Sequence, residues 1–505
     1  MVRRSERRKQ TAAFSLPQLP VQSITNPYAP IEILDAGQLE DIHDASMRIL
    51  EEIGLQIEND RAKALMLQHG ATLDPKTGYV LMDRGLLMEQ ISTVPGEFTL
   101  HARNPRFNAV FGSNHINFTM VASAPNCSDL DRGRRTGNYA DFCNFLRLGQ
   151  YFNIINPISG YPVEPVDLPP QTRHLDGYLA FIRLTEKSWH AYSLGEGRIE
   201  DGLEMIRIAR GIDVETLKRE PSISTVVNTN SPLKVDDAML QGLMLMAEYN
   251  QPVIVTPFTL AGAMSPVTLA GALAQQNAEA LGVIAITQMV NPGAPAMYGG
   301  FTSNVDMKTG SPAFGTPEYA SAVYAGGQLA RRYNIPYRTS NVNASNVVDA
   351  QATWESQVSL WSTVMAHGNM IKHSAGWLEG GLCASFEKFI IDIEMMQIMV
   401  ETLKGIEVNE QTLALSTIKD VGAGGHFFGT DHTYARYETA FHTPMVSDWN
   451  NFETWAERGS LTATERANKI YKEVLENYQQ PPLDPIINEE LEAYVTRRRA
   501  EYHTG

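Results

Sequence analysis

Short apolar runs rich in β-branched residues recur along this chain at intervals of about 30 to 45 residues, and most gaps between them carry the periodicity of a helix. The runs lie at 115–123 (HINFTMVAS), 152–160 (FNIINPISG), 187–194 (KSWHAYSL), 221–228 (PSISTVVN), 252–258 (PVIVTPF), 295–301 (PAMYGGF), 335–341 (IPYRTSN) and 370–376 (MIKHSAG). Helix-patterned segments fill 199–211, 233–249, 267–290, 317–333 and 349–366. Eight strands alternating with helices at this spacing predict an α/β fold of the (β/α)8 TIM barrel type. A doubly wound open sheet is the alternative, but no GxGxxG follows any of the runs. A repeat array would need an internal signature, and the segments share none.

At 505 residues the chain is long enough for such a barrel with additions at both ends. The reading divides it into an N-terminal arm at 1–34, a helical cap at 35–114, the barrel at 115–379 and a C-terminal extension at 380–505 packed on the barrel. The arm opens MVRRSERRKQTAAFSLPQLP, basic but without the apolar core of a signal peptide, and is read as disordered or extended. The cap begins with DAGQLEDIHDASMRILEEIG, whose Leu39, Ile42, Ile49, Leu50 and Ile53 share one helical face. The segment 267–290 carries no charge except Glu279. Such a helix cannot present a solvated face, which predicts that another subunit covers part of it and that the protein is a homo-oligomer.

A net charge of −16 without an offsetting basic stripe argues against nucleic acid as a partner. No segment has the length and apolar density of a membrane span. Three scattered cysteines without CxxC spacing predict a reducing cytoplasm and no structural zinc. His426, His432 and His442 do not have the i, i+4 spacing of a helical metal site, so no metal bound by this chain is expected.

Functional side chains of a barrel lie at the C-terminal ends of its strands and in the loops that follow. Those positions read Asn156, Tyr192, Asn228, Asn230, Phe258, Phe301, Asn304, Asp306, Asn341, Asn343, His373, Trp377 and Glu379. Amides and aromatics dominate, and no lysine is among them, which argues against Schiff-base chemistry. A mouth of this composition suits a quaternary ammonium, which has no N–H to donate and is held by aromatic faces. Core packing is the alternative for Phe258, Phe301 and Trp377. A hydrogen-bonded core residue is the alternative for His373, whose Gly-rich turn leads to Glu379.

Longer runs carry more specific information. SPVTLAGALAQQNAEAL, NPGAPAMYGGF, DMKTG, VDAQATWE, AGWLEGGL, SFEKF and GGHFFGTDHTYARYETAFHTP resemble the trimethylamine methyltransferase family of corrinoid-dependent methyltransferases. The resemblance implies transfer of a methyl group from a methylamine or quaternary amine to cobalt in a separate corrinoid protein, the cobalamin being carried by that partner. The archaeal trimethylamine enzymes carry pyrrolysine just before DAQ, where this chain reads Ser340-Asn341-Val342-Asn343-Ala344-Ser345. The resemblance is therefore to the pyrrolysine-lacking branch, which includes glycine betaine methyltransferases, and a betaine carboxylate would need amide or backbone donors at the mouth. On this reading substrate contacts fall to Tyr192, Phe258, Phe301, Asn304, Asp306, Asn341, Asn343 and Trp377. His373 and Glu379 are the catalytic candidates, and His373 and Gly376 face the corrinoid. A non-catalytic quaternary-amine-binding or assembly subunit that has kept the barrel is the alternative.

Overall fold

A computed structural model describes residues 14–504. Among them, seven strands run parallel: β1 (His115–Met120), β2 (Trp189–His190), β3 (Ile223–Val227), β4 (Val253–Val255), β5 (Ala296–Gly299), β6 (Tyr337–Ser340) and β7 (Met370–Ala375). From β2 to β7 each strand pairs with the next, and β7 pairs in parallel with β1, so the first and last strands are neighbours and the sheet curls. The strands are short and almost wholly buried on both faces, as parallel strands under helices must be.

The expected second strand is corrected by the structure. Residues 152–160 form no strand, and Pro157, which has no N–H, cannot complete a ladder there. The segment still bonds to both neighbours: Asn156 N donates to Phe118 O at 2.8 Å, and Ile158 N donates to Ser188 O at 2.9 Å. The buried Lys187 fixes this stretch from below, its Nζ donating to the carbonyls of Gly149, Phe152 and Ile155 at 2.5–2.9 Å.

The N-terminal region holds α1 (Ala36–Arg48), α2 (Asp60–Gln68) and α3 (Arg84–Ile91), followed by a hairpin of Glu97–Leu100 and Ala109–Gly112. It is therefore not helical throughout. The hairpin's Phe98, Leu100, Ala109 and Phe111 pack against Ile254, Met297 and Met370 inside the sheet. This apolar plug closes the end of the curled sheet where the strands begin. Of the expected arm, residues 1–13 lie outside the described residues. Residues 14–34 are extended and pinned: Ile24–Thr25 pairs antiparallel with the start of β1, and Leu19 and Asn26 are buried.

The uncharged helix forms as α4 (Leu269–Val290), but a second subunit is not what covers it. Ala272 through Met289 are buried within the chain itself, by α1, α2 and α3 on one side and by the flanking helices Asp237–Glu248 and Pro317–Arg332 on the others. Asn277 Nδ2 donates to Ser46 Oγ and to Tyr333 OH, both at 2.9 Å. Glu279, fully buried, accepts from the hydroxyls of Thr229 and Ser231, from Leu233 N at 2.9 Å and from Gln275 Nε2 at 2.8 Å. The low charge of the helix thus reflects its position between the sheet and the N-terminal helices.

At the other end, α5 (Phe386–Leu403) runs back along β7 from the ends of the strands. The helix Pro485–Thr504 is tied to Glu196–Arg210 through buried Asp201, which accepts from Tyr494 OH at 2.7 Å, Arg498 Nε at 2.6 Å and Tyr502 OH at 2.8 Å. Between α5 and these last helices, residues 406–452 hold short helices joined by turns, with exposed aromatic side chains.

Candidate functional site

A cavity of about 810 Å³ opens at the C-terminal ends of the strands, within the range of small-molecule sites. Its depth follows from register. Arg338 pairs with Met370, and Ser340 pairs with Lys372 two residues further along β7. Paired residues of parallel strands share a face, so Arg338 and Lys372 point to the same side as Met370 and line the cavity just above the apolar plug. His190 of β2 lines it as well.

Arg338 is 3% and Lys372 5% exposed, and among the described residues neither is in an ion pair. Arg338 Nε and Nη1 are buried without a hydrogen-bond partner. Its guanidinium lies 5.4 Å from the ring centroid of Phe301, over the face. Burial lowers the Arg338 pKa to about 10, still protonated at neutral pH. Burial, reinforced by Arg338, holds Lys372 well below the ordinary lysine value. Among the described residues one carboxylate lines the cavity, Glu164, which faces Arg173 at 3.7 Å.

Above the cations the wall is aromatic. Phe301 is 5.1 Å from Phe258 and 6.4 Å from Trp377, ring centroid to centroid, and His373 is 4.1 Å from Trp377. Burial, then the charges of Arg338 and Lys372, keep His373 well below its ordinary pKa, so the ring is neutral. Its Nδ1 accepts from Ala122 N at 3.2 Å, which leaves the proton on Nε2. His373 holds this orientation at φ +58°, in the left-handed region uncommon for a side chain of its size. Tyr192 lines the opposite wall with its hydroxyl engaged, accepting from Tyr161 N at 2.8 Å and bonded to Ser123 Oγ at 3.0 Å. At the rim Leu194 and Leu382 are about half exposed.

Of the residues expected at the site, the fold brings together Tyr192, Phe258, Phe301, His373 and Trp377. Asn228 and Asn230 of the strand-end positions line the cavity too, whereas the remaining residues assigned to substrate, catalysis or corrinoid lie elsewhere. Asn343 Nδ2 donates to Trp377 O at 2.8 Å, and Asn341 Nδ2 donates to Ser374 O at 3.2 Å, so both amides hold backbone behind the wall. Asn304 accepts from Thr316 Oγ1 at 3.0 Å, and Asp306 closes an exposed turn through Thr309 Oγ1 at 2.7 Å. Glu379 is bound to Arg134 at 2.9 Å outside the cavity. Gly376, at φ +95°, donates its N–H to Asp392 at 2.9 Å, the acid of a buried pair with Lys388. That turn positions Trp377 and does not reach the cavity. Sequence reasoning missed Arg338 and Lys372, and its reading of a mouth without lysine is overturned by Lys372, which faces the cavity one residue before His373.

The fold and site define an α/β enzyme pocket closed at one end, with buried cations at its base and aromatics toward its opening. The profile of the trimethylamine methyltransferase family matches residues 1–503. A glycine betaine methyltransferase of Desulfitobacterium hafniense strain Y51 is 36% identical over 470 residues, 93% of this chain and 97% of that protein. A trimethylamine methyltransferase of D. hafniense strain DSM 10664 / DCB-2 is 29% identical over 92% of this chain and 93% of its own. The crystal structure of the Methanosarcina barkeri monomethylamine methyltransferase aligns over 88% of this chain and 98% of its own, at 9% identity and a TM-score of 0.48. The chain belongs to the trimethylamine methyltransferase family and is a methyltransferase.

Proposed function

We propose that this enzyme takes a methyl group from a small quaternary ammonium of the betaine type and passes it to the corrinoid of a separate protein. The observation that carries the reading is the aromatic wall of Phe258, Phe301 and Trp377 at the open end of a small cavity. A quaternary nitrogen offers no hydrogen bond, and each ring face is worth about 0.5–2 kcal/mol to it. The leaving group departs as a neutral amine, so the step needs no acid, in keeping with a neutral His373. The corrinoid's reduced cobalt would supply the nucleophile, and the half-exposed rim leucines Leu194 and Leu382 would offer its macrocycle an apolar seat. This chain's residues bind and orient the substrate and exclude water from it. Seven parallel strands with residues 152–160 bonded to both β1 and the residue before β2 support a closed (β/α)8 barrel as the frame. Isothermal titration with glycine betaine and its tertiary-amine product, dimethylglycine, tests the reading, together with a methyl-transfer assay to cob(I)alamin. Equal affinity for the two compounds overturns it, since the third methyl and the permanent charge are what the wall must read.

The homo-oligomer rests on a different surface from the one the sequence suggested. On the segment 406–452, Phe428, Tyr434, Phe441, Trp449 and Phe452 are 72–90% exposed. At about 150–250 Å² per aromatic side chain they offer on the order of 800 Å², one partner's share of a standard interface. A surface of that size and composition suits a second copy of the chain. Light scattering at micromolar concentration tests this, and a monomer contradicts it.

A further inference from the structure

We propose that Arg338 and Lys372 are the carboxylate subsite of this pocket, holding the substrate with its acid end down on the plug and its methyl-bearing nitrogen up among Phe258, Phe301 and Trp377. The inference deepens the betaine reading above and rests on it. Two cations are buried side by side in a chain of net charge −16, yet no protein carboxylate is placed against either of them among the described residues. Buried charges are paired or bind something charged, because desolvation without a partner is costly. Arg338 leaves two guanidinium nitrogens, Nε and Nη1, buried and unanswered at a cavity wall. Its planar fork matches a carboxylate, and Lys372, about 6–7 Å further along the neighbouring strand, adds a point charge from the side.

The plug excludes a deeper location for the anion, since Phe98, Phe111, Ile254, Met297 and Met370 fill that end. The same arrangement settles which end of the ligand faces out. With the carboxylate on Arg338, the ring of Phe301, already faced by that guanidinium, comes within reach of the ligand's nitrogen, and a methyl points at the mouth. A quaternary cation without a carboxylate would meet the uncompensated charge of Arg338 and would gain nothing from Lys372. The subsite therefore selects zwitterions and rejects tetramethylammonium and choline.

The test is titration of the purified full-length protein with glycine betaine, tetramethylammonium, choline and 3,3-dimethylbutanoate, the uncharged-head carbon analogue of betaine. Wild type should bind glycine betaine at least about 30-fold more tightly than tetramethylammonium or choline. Arg338→Met and Lys372→Met should each weaken glycine betaine and 3,3-dimethylbutanoate about 30-fold or more, while tetramethylammonium binding holds or improves. Lys372→Arg, which keeps the charge, should recover part of the loss, a result a packing defect would not give. If Arg338→Met does not fold, the Lys372 pair of variants decides the matter. Choline binding as well as betaine to wild type overturns the subsite, as does an unaltered Kd in Lys372→Met. The two readings fail separately. Methyl transfer from choline and betaine alike keeps the methyltransferase reading and removes the subsite; binding of 3,3-dimethylbutanoate that depends on Lys372, with no binding of betaine, does the reverse.

Discussion

Phe301→Leu isolates the contribution of charge to recognition. Phe301 is the hub of the wall, 5.4 Å from the Arg338 guanidinium, 5.1 Å from Phe258 and 6.4 Å from Trp377. Leucine keeps an apolar side chain and removes the ring face, so the cost should divide into a packing part and a cation–π part. One face is worth about 0.5–2 kcal/mol, or roughly a two- to thirtyfold change in Kd. Glycine betaine and 3,3-dimethylbutanoate have the same shape and differ in whether the head is charged, so their ratio of affinities cancels the packing part. Calorimetric titration of both ligands into wild type and variant should show the ratio falling two- to thirtyfold. Circular dichroism establishes that the variant is folded. A ratio that does not move would refute the reasoning, leaving Phe301 as bulk alone.

The Glu279→Ala variant should lose about 3 kcal/mol or more in a urea melt, because the hydroxyls of Thr229 and Ser231 and Leu233 N lose a buried acceptor; it should also raise the KM for betaine, since Thr229 and Ser231 line the cavity. Lys187→Met should cost a similar amount and expose 150–160 to limited proteolysis, as three buried carbonyls lose their donor. A carboxylate bound at Lys372 raises a pKa that burial has lowered, so betaine binding takes up a proton at pH values above the depressed one, and affinity falls as pH rises through the raised one. Titration in buffers of different ionisation heat measures that uptake, and none would count against it. Trp377→Ala should weaken betaine two- to thirtyfold, whereas Asn343→Ala, whose side chain holds the Trp377 carbonyl, should act through Trp377 and be no worse than its loss.

The spacing of apolar runs carried the alternation of strand and helix, because buried parallel strands need continuous apolar sequence and turns need polar breaks. It could not show that 152–160 lacks a ladder, although Pro157 was the visible sign. Tyr192, Phe258, Phe301 and Trp377 were legible because they stand just beyond strand ends, and His373, although inside β7, because the Gly-rich turn after it drew attention to that segment. Arg338 and Lys372 stand inside the strands, a position reserved in that reading for the core. Their signal was in plain view: IPYRTSN and MIKHSAG each place a cation within a run that must be buried on both faces. The amides Asn341 and Asn343 misled because polar loops have two uses, and here they tie the chain to itself. The uncharged helix α4 misled in the same way, since only the fold shows that the chain's own first helices lie over it.

The apolar plug at the base has a consequence for turnover. A pocket with one opening is a queue in which the last to enter leaves first. On the proposed function, with the corrinoid protein docking over this mouth, the amine must be seated before that protein covers it, and the demethylated amine has no exit until it departs. That proposal predicts a compulsory order, with the methylated corrinoid protein released ahead of the small product. Product amine then competes with the substrate for free enzyme, whereas excess corrinoid protein traps it in the pocket and slows the cycle.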